Sequence, residues 1–352
     1  MDLLILDTNL NVVSVVDTYE SLIWTDRYDQ YGDFELVLPI TDGIFTHLKQ
    51  DNYIVNRKSE HLMIIEKLLV KSDVERGNYL TISGRSLESL LMRRIVWGQQ
   101  TLSGTLQNGV KALLDAAIIN PSDSKRKISN FVFQTTTNEA ITSLQLSAQY
   151  TGDNLYDVVH EICSERNLGF KIVLNANNQF VFSLYAGEDR SYNQFKNPYV
   201  VFSPQFDNLV NSNYVESKST LTNVALVGGE GEGSERRYAS TGIDISGVDR
   251  RELFVDARDI SSSVDKETLS DSEYNALLVQ RGNENLAEHT AISSFEGEVD
   301  AVTVYVYGED FYTGDVVQIA NEYGHETTAR VIEVVISESG EGQTVYPTFK
   351  TA

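Results

Sequence analysis

Apolar and polar residues alternate with a period of two through most of the first 84 residues, the pattern of half-buried antiparallel strands. Leu3 to Leu6, Val12 to Val16 and Phe34 to Leu38 read as strands, with Phe34, Leu36 and Leu38 on one face. Pro39 ends the last of these, because it cannot donate to a ladder. The stretch Asp51 to Arg85 follows as Asp51-x-Tyr53-x-Val55, a polar turn, Ile64-Ile65-Glu66-Lys67, an acidic turn with Gly77, and Tyr79-Leu80-Thr81-Ile82. The C-terminus repeats the pattern. Asp315, Val317 and Ile319 precede a polar turn at 321–325, and then come Val331-Ile332-Glu333-Val334, a Ser/Glu/Gly turn, and Thr344-Val345-Tyr346 to Phe349. The first turns differ in length, so the repeat is weak, and two unrelated β-meanders would show the same alternation. If the repeat is real, Asp51–Arg85 and Asp315–Lys350 share a strand order, and Glu66 and Glu333 are equivalent.

Between these regions the period changes. Ser86 is placed to cap a short helix carrying Leu87, Leu90 and Leu91, with Arg93-Arg94 near its end. Leu106, Val110, Leu113, Leu114 and Ala117 have helical spacing, stopped by Asn120-Pro121. A second helix carries Leu155, Val158, Val159 and Ile162, with Asp153 as its expected cap and Gly169 beyond its end. Phe170–Leu174 and Phe180–Tyr185 are joined by Asn175-Ala176-Asn177-Asn178, a hairpin signal. Residues 199–229 return to strands, best at Asn223 to Val227, and a glycine-rich loop predicted to be flexible follows. Ser270 and Glu273 form a capping box ahead of Tyr274, Leu277 and Leu278. The fold class expected is α+β, mainly β, divided into a β-barrel at 1–100, an α/β insertion at 101–198, a second barrel from 199–235 and 291–352, and a helix-containing insertion at 236–290.

Length supports that division: 352 residues exceed a usual single core of about 250 to 300. With 41% hydrophobic and 10% aromatic residues, real cores can form. The formal charge of −23 disfavours binding to a nucleic-acid backbone or to anionic lipid, both of which require Lys and Arg. The charge fits an acidic protein that repels its own copies, or a surface that nucleic acid passes without sticking. Cys163 is the single cysteine, so no internal disulfide is possible. The N-terminus lacks a basic n-region, and no run reaches the roughly 18 to 20 apolar residues of a membrane helix. A protein made and kept in solution in the cytoplasm is therefore expected.

No catalytic, cofactor or metal residues emerge. Glu230, Glu232 and Glu235 in the loop from Gly228 to Gly233 would repel phosphate, and no Gly-Lys-Ser/Thr follows. Cys163 lies beside Ile162 on a helical stripe with His160 on the same element, whereas a catalytic pair is normally brought together from distant segments. His47, His61, His160, His289 and His325 lack metal-ligand spacing. Asp256, Asp259, Asp265, Glu267 and Asp271 read as a solvated acidic face without calcium-loop spacing.

Gly32-Asp33-Phe34-Glu35-Leu36, Ile65-Glu66-Lys67, Tyr79 to Leu91, Arg93-Arg94-Ile95-Val96-Trp97 and the closing Gly314 to Phe349 together resemble the hub proteins of long non-contractile phage tails. That family includes the N-terminal hub part of tail-associated lysins, also called prophage tail endopeptidase-like proteins. The resemblance implies a baseplate-hub fold with two tail-tube-like barrels and α/β insertions, assembled as a homotrimer at the virion tail tip. It implies as partners a distal tail protein, a tape measure protein and receptor-binding or tip proteins, with phage DNA passing through the channel without specific binding and no membrane anchor. Three chains with two barrels each would give six modules, matching a sixfold siphovirus tube. Longer members continue into a wall-hydrolase domain, so any lytic activity is expected on another chain or in an extension. A tail-associated peptidase or glycosidase, and a carbohydrate-binding tail protein, are the competing readings.

Overall fold

The structure, a computed structural model, describes residues 2–73, 77–264, 267–298, 305–321, 323–324 and 326–351. The opening region consists of β1 (Leu3–Leu6), β2 (Val12–Val16), β3 (Ser21–Arg27), β4 (Asp33–Pro39), the one-turn helix α1 (Ile44–His47), β5 (Tyr53–Asn56), β6 (Leu62–Asp73) and β7 (Gly77–Ser86). A 3-10 turn at Leu87–Arg93 leads into β8 (Gln100–Thr105), α2 (Leu106–Leu114), β9 (Phe131–Gln134), α3 (Glu139–Thr142), β10 (Gln145–Tyr150), α4 (Leu155–Glu165), β11 (Gly169–Leu174) and β12 (Phe180–Tyr185). After β13 (Val201–Phe202) and β14 (Val210–Ser217) come β15 (Val224–Gly228), β16 (Tyr238–Gly242), β17 (Glu252–Asp256), the two short strands β18 (Ser263–Val264) and β19 (Glu267–Thr268), and α5 (Asp271–Glu288). The chain closes with β20 (Ile292–Glu298), β21 (Val316–Ala320), β22 (Glu326–Ser339) and β23 (Gly342–Thr351).

The mainly β, α+β expectation holds. Thirteen strands from both ends of the chain form one sheet, in the order β14-β20-β23-β22-β3-β4-β7-β6-β5-β1-β2, with β21 on β22 and β13 on β21. The alternation read from the sequence faces one core. Phe34, Leu36 and Leu38 of β4 are buried with Val331, Val334 and Phe349 of the closing strands in a single apolar cluster. Apolar burial on this scale, at about 25 cal/mol per Å2, is the main force holding the two ends together.

Two further cores stand beside it. In one, the stripes of α2 and α4 pack against the sheet β11-β12-β9 and against Leu87, Leu90 and Leu91. In the other, α5 covers the sheet β16-β15-β17 through Tyr274, Leu277 and Leu278. The sequence reading grouped 224–228 with the closing barrel, but β15 pairs with β16 and β17 instead. It is apolar enough for either core, and only its ladder partners decide the matter.

Local signals were partly displaced. The Ser270–Glu273 capping box is present as expected. Helix α4 is capped by Asn154, whose side chain accepts from the Tyr156 amide, while Asp153 accepts from Thr151. At its end Asn167, not Gly169, takes the left-handed conformation, at φ 52°. Ser86 makes no cap either: its hydroxyl accepts from the Gly32 amide, and the turn after it is 3-10. The hairpin asparagines behave as read, with Asn175 Oδ1 accepting from the amides of Asn177 and Gln179.

Candidate functional site: the seam between two like modules

The repeat is a matter of topology and extends further than the sequence pattern. In the first module, the hairpin β3–β4 is followed by the meander β5-β6-β7, and β7 returns to pair with β4. In the second, β14 and β20 pair, the meander β21-β22-β23 follows, and β23 returns to pair with β20. Both modules thus have the same order of five strands. Aromatic rungs mark the same place: Trp24 opposes Phe34 and Tyr214 opposes Phe295, with ring centroids 6.0 and 6.3 Å apart.

The register corrects the expected equivalence of Glu66 and Glu333. Each long strand carries one bulged residue against its successor, Glu66 in β6 and Ile332 in β22. Backbone bonds fix the same frame. Asp51 N–H donates to Ile65 O and Ile65 N–H to Asn52 O; in the second module Gly314 N–H donates to Val331 O and Val331 N–H to Asp315 O. Asp51 and Gly314 both have positive φ, at 66° and 94°. Glu66 therefore matches Ile332, and Glu333 matches Lys67. A bulge adds one unpaired residue to a strand, so the similar letters Ile-Ile-Glu and Val-Ile-Glu aligned one position out of step.

The modules are joined where β3 lies antiparallel on the Glu333–Ser339 half of β22. Trp24 and Ile336 face one another there, both buried. Arg27 Nε donates to Glu333 Oε2 at 2.6 Å, and Nη1 reaches Asp33 Oδ2 and Tyr31 O. Beneath the seam Asp26, 1% exposed, accepts from Trp24 Nε1, Ser59 Oγ and Tyr307 OH at 2.9 to 3.0 Å. Nearby His61 and Glu88 are buried with Nδ1 and Oε1 3.3 Å apart, and Glu88 Oε1 also accepts from the Ile172 amide at 2.7 Å. Burial alone would lower the His61 pKa, but Asp26 and Glu88 override it and raise it to about 9. Burial opposes the Glu88 charge as well, yet His61 and its hydrogen bonds bring its pKa below the usual value. The pair thus ties the first module to the α/β insertion, and no sequence spacing announced it.

A cleft of 480 Å3 opens beside this cluster, between Asp26, Glu60, Lys171, Tyr185, Arg190 and Asp315. Two of its carboxylates are held in ion pairs: Arg190 holds Asp315 at 2.7 Å and Lys171 holds Glu60 at 2.6 Å. Carboxylates engaged in this way serve structure and are poorly placed for acid–base work.

Apart from His61, the residues weighed for chemistry fall elsewhere and are not brought together. Cys163 is fully buried among the α4 stripe residues, and burial pushes its thiol well above the ordinary value, the reverse of an activated nucleophile. His160 Nδ1 bonds the Asp29 carbonyl at 2.8 Å. His47 ends α1, and His289 Nδ1 bonds the Asn285 carbonyl, while His325 and Asp265 lie outside the described residues. In the acidic run, Asp256 is held by Arg236 and Arg258, Asp259 by Arg281, and Asp271 by Arg237. Among the described residues no group of acids, histidines and cysteine is arranged to hold a metal ion. No described helix is long and apolar enough to cross a membrane. The glycine loop is tethered, contrary to the flexible reading. Arg236 donates to the carbonyls of Gly228 and Gly229, and the Glu230 amide donates to Tyr274 OH.

This architecture is that of phage tail proteins. The chain spans 100% of itself and 95% of the prophage tail protein gp18 from Listeria monocytogenes EGD-e, at 11% identity and a TM-score of 0.55. The prophage MuSo2 43 kDa tail protein from Shewanella oneidensis superposes with a TM-score of 0.60 at 11% identity, covering 99% of this chain and 98% of that one. A tail protein from Neisseria meningitidis MC58 gives 0.61 at 11% identity, over 99% and 96%. At such identities the likeness is one of fold. No curated protein matches the chain. The family described as Siphovirus ReqiPepy6 Gp37-like protein matches residues 2–349, and the chain belongs to that siphovirus tail protein family.

Proposed function

We propose that this tail protein is the structural hub at the distal end of a non-contractile tail, where three copies form a ring that continues the tail tube. The observation that carries the reading is the pair of like modules fused edge to edge into one sheet. A chain built as two equivalent units can supply six such units as a trimer, and so join a threefold tip to a sixfold tube by closed rotational symmetry. The division into two barrels interrupted by two insertions belongs to the same proposal. The insertions stand outside the shared sheet, where they are available to a distal tail protein, a tape measure protein and tip or receptor-binding proteins. The charge of −23 suits a wall past which DNA moves without lasting contacts, since phosphate binding needs cations to replace counterions. Only carboxylates within about 8 Å of the lumen would be felt through physiological salt. The role is mechanical, without catalysis.

Native mass spectrometry of the purified chain, with low-resolution imaging of the particles, tests the reading. Three chains around an axial opening are expected. A particle that stays monomeric at all concentrations ends the proposal, and release of fragments from purified cell wall by the chain alone would replace it with a hydrolase.

A further inference from the structure

A positive patch interrupts the surface of this acidic chain, away from the seam. After the 3-10 turn at Leu87–Arg93 the backbone runs extended beside the start of α4, where the Val96 amide donates to Asp153 O and the Leu155 amide to Arg94 O. Alternation along that segment buries Val96 and turns Ile95 and Trp97 outward, 48% and 64% exposed. The turn at Ser124–Arg126 is tied on beside it. Arg94 Nε and Nη2 both donate to Arg126 O, at 3.1 and 3.0 Å, and Arg126 Nη2 donates to Ile95 O at 2.7 Å. The Arg126 guanidinium lies over one face of the Trp97 ring, 4.7 Å from its centroid. With Met92 and Lys125 these residues line a hollow of 350 Å3.

The charge of this hollow is uncompensated. Arg93 at its rim has Asp51 and Glu66 at 3.7 and 3.9 Å, but no described carboxylate pairs with Arg94, Lys125 or Arg126. The Asp123 carboxylate is turned to the Lys125 amide. Burial, and then the like charges of Arg126 and Arg93, lower the pKa of Arg94. We propose that the hollow docks an acidic segment of a partner protein, with one large apolar side chain of that segment seated among Met92, Ile95 and Trp97 and its carboxylates on Arg126 and Lys125. Charge complementarity selects the occupant, since an acidic segment is repelled by the chain at large, with its formal charge of −23, and attracted here. The apolar floor separates this occupant from a phosphate polymer, which requires cations but gains nothing from the aliphatic Ile95 and Met92. Trp, Met and Arg are the residues enriched at protein–protein interfaces, and buried Trp and Arg carry much of their binding energy. The hollow is complete within one chain, so its occupancy does not require the ring.

The test is selection of a displayed library of short random peptides on the full chain, followed by titration with the best synthetic peptide. Acidic peptides bearing a large apolar residue should be enriched. Their binding should move the emission of Trp97 to the blue, while Trp24, the other tryptophan, is fully buried and stays constant. Trp97→Ala and Arg126→Glu should each weaken the peptide about tenfold or more, as expected of central anchors. Lys125→Glu, whose ammonium makes no bond within the described residues, should weaken it several-fold and more strongly at low salt. Thermal melts matching the parent chain exclude misfolding, and Lys125→Glu keeps the test valid if Arg126→Glu disturbs its turn. Enriched peptides with no acidic bias, or binding unchanged by Trp97→Ala and Lys125→Glu, would overturn the proposal. Inorganic polyphosphate or a single-stranded oligonucleotide that binds more tightly than every selected peptide, and is lost in the same variants, would replace the protein partner with a phosphate polymer. Each readout comes from one chain, so failure here leaves the hub reading standing.

Discussion

The two modules share a strand order but treat the same strand edge differently. In module two the far half of β22 is covered by β3, and its residue Ile336 lies in the core. In module one the equivalent half of β6 has no described strand across from it, and Val70, the counterpart of Ile336, is half exposed. The hairpins differ too. β3 and β4 are joined by a short loop, whereas β14 and β20 are separated by the whole unit containing β15 to β19 and α5. Ser217 nevertheless faces Ile292 directly, so the inserted unit leaves and returns across a single rung. A pattern of strands can therefore be conserved in space while its edges are put to separate uses, one internal and one outward.

The comparison breaks or sharpens first at this matched pair. Ile336→Ala should cost about 2–5 kcal/mol, as for other buried aliphatic truncations. Val70→Ala, at a half-exposed site, should change stability by less than about 0.5 kcal/mol, the usual range for surface sites. Equal losses in urea unfolding would mean that the two edges are not alternatives.

Next come the paired positive-φ residues. A Cβ at Gly314 would sit 2.4 Å from the Tyr28 ring in a left-handed conformation, so Gly314→Ala should cost about 2–4 kcal/mol from strain and overpacking. At the equivalent Asp51, substitution by glycine should stay within about 1 kcal/mol, because glycine suits that conformation. Denaturant midpoints of the two variants check this, and a costly Asp51→Gly would show that the carboxylate carries a role its counterpart lacks.

A third difference titrates. His61 of module one corresponds to Thr327 of module two and packs against Glu88, a contact module two does not reproduce. The folded pKa of His61 is raised from 6.5 to about 9, so its stabilisation is full below pH 6.5 and is lost as pH rises through about 9. That of Glu88 is lowered, so its contribution is present above its ordinary 4.5 and is lost as pH falls through the folded value. Stability should thus decline between pH 6.5 and 9, and His61→Gln should flatten that decline. An unchanged slope would mean that the pair is not the titrating element.

The smallest expected effects lie at the ion pairs. Glu66 is held in a two-point contact by Arg85 within module one, and Glu333 by Arg27 across the seam. All four side chains are partly solvated, so Glu66→Gln and Glu333→Gln should each cost about 1 kcal/mol or less. A much larger loss for Glu333→Gln would show the seam to depend on charge as well as on apolar packing.

What the sequence determined is what neighbours along the chain can settle. Alternation along β4, β6, β22 and β23 committed those segments to strands with one buried face, and helical spacing did the same for α2, α4 and α5. The family resemblance, carried by 32–36, 79–91 and 314–349, pointed to the tail-protein fold. Only the tertiary structure decided the rest. The bulges at Glu66 and Ile332 moved the repeat by one residue, because register depends on the opposing strand. β15 was assigned to the small sheet under α5 by its ladder partners. Asn154 displaced Asp153 as a cap, and the Ser86 hydroxyl accepts from the Gly32 amide instead, because each side-chain acceptor went to the amide that the surrounding fold placed nearest. Asp26, Tyr307, His61 and Glu88 meet only because distant segments pack together, and such deep burial of charge is tolerable only beside opposite charge. The pairing of β3 with β22 joins residues some 300 positions apart in sequence. Its long loop must close before the ladder forms, so no local pattern records it.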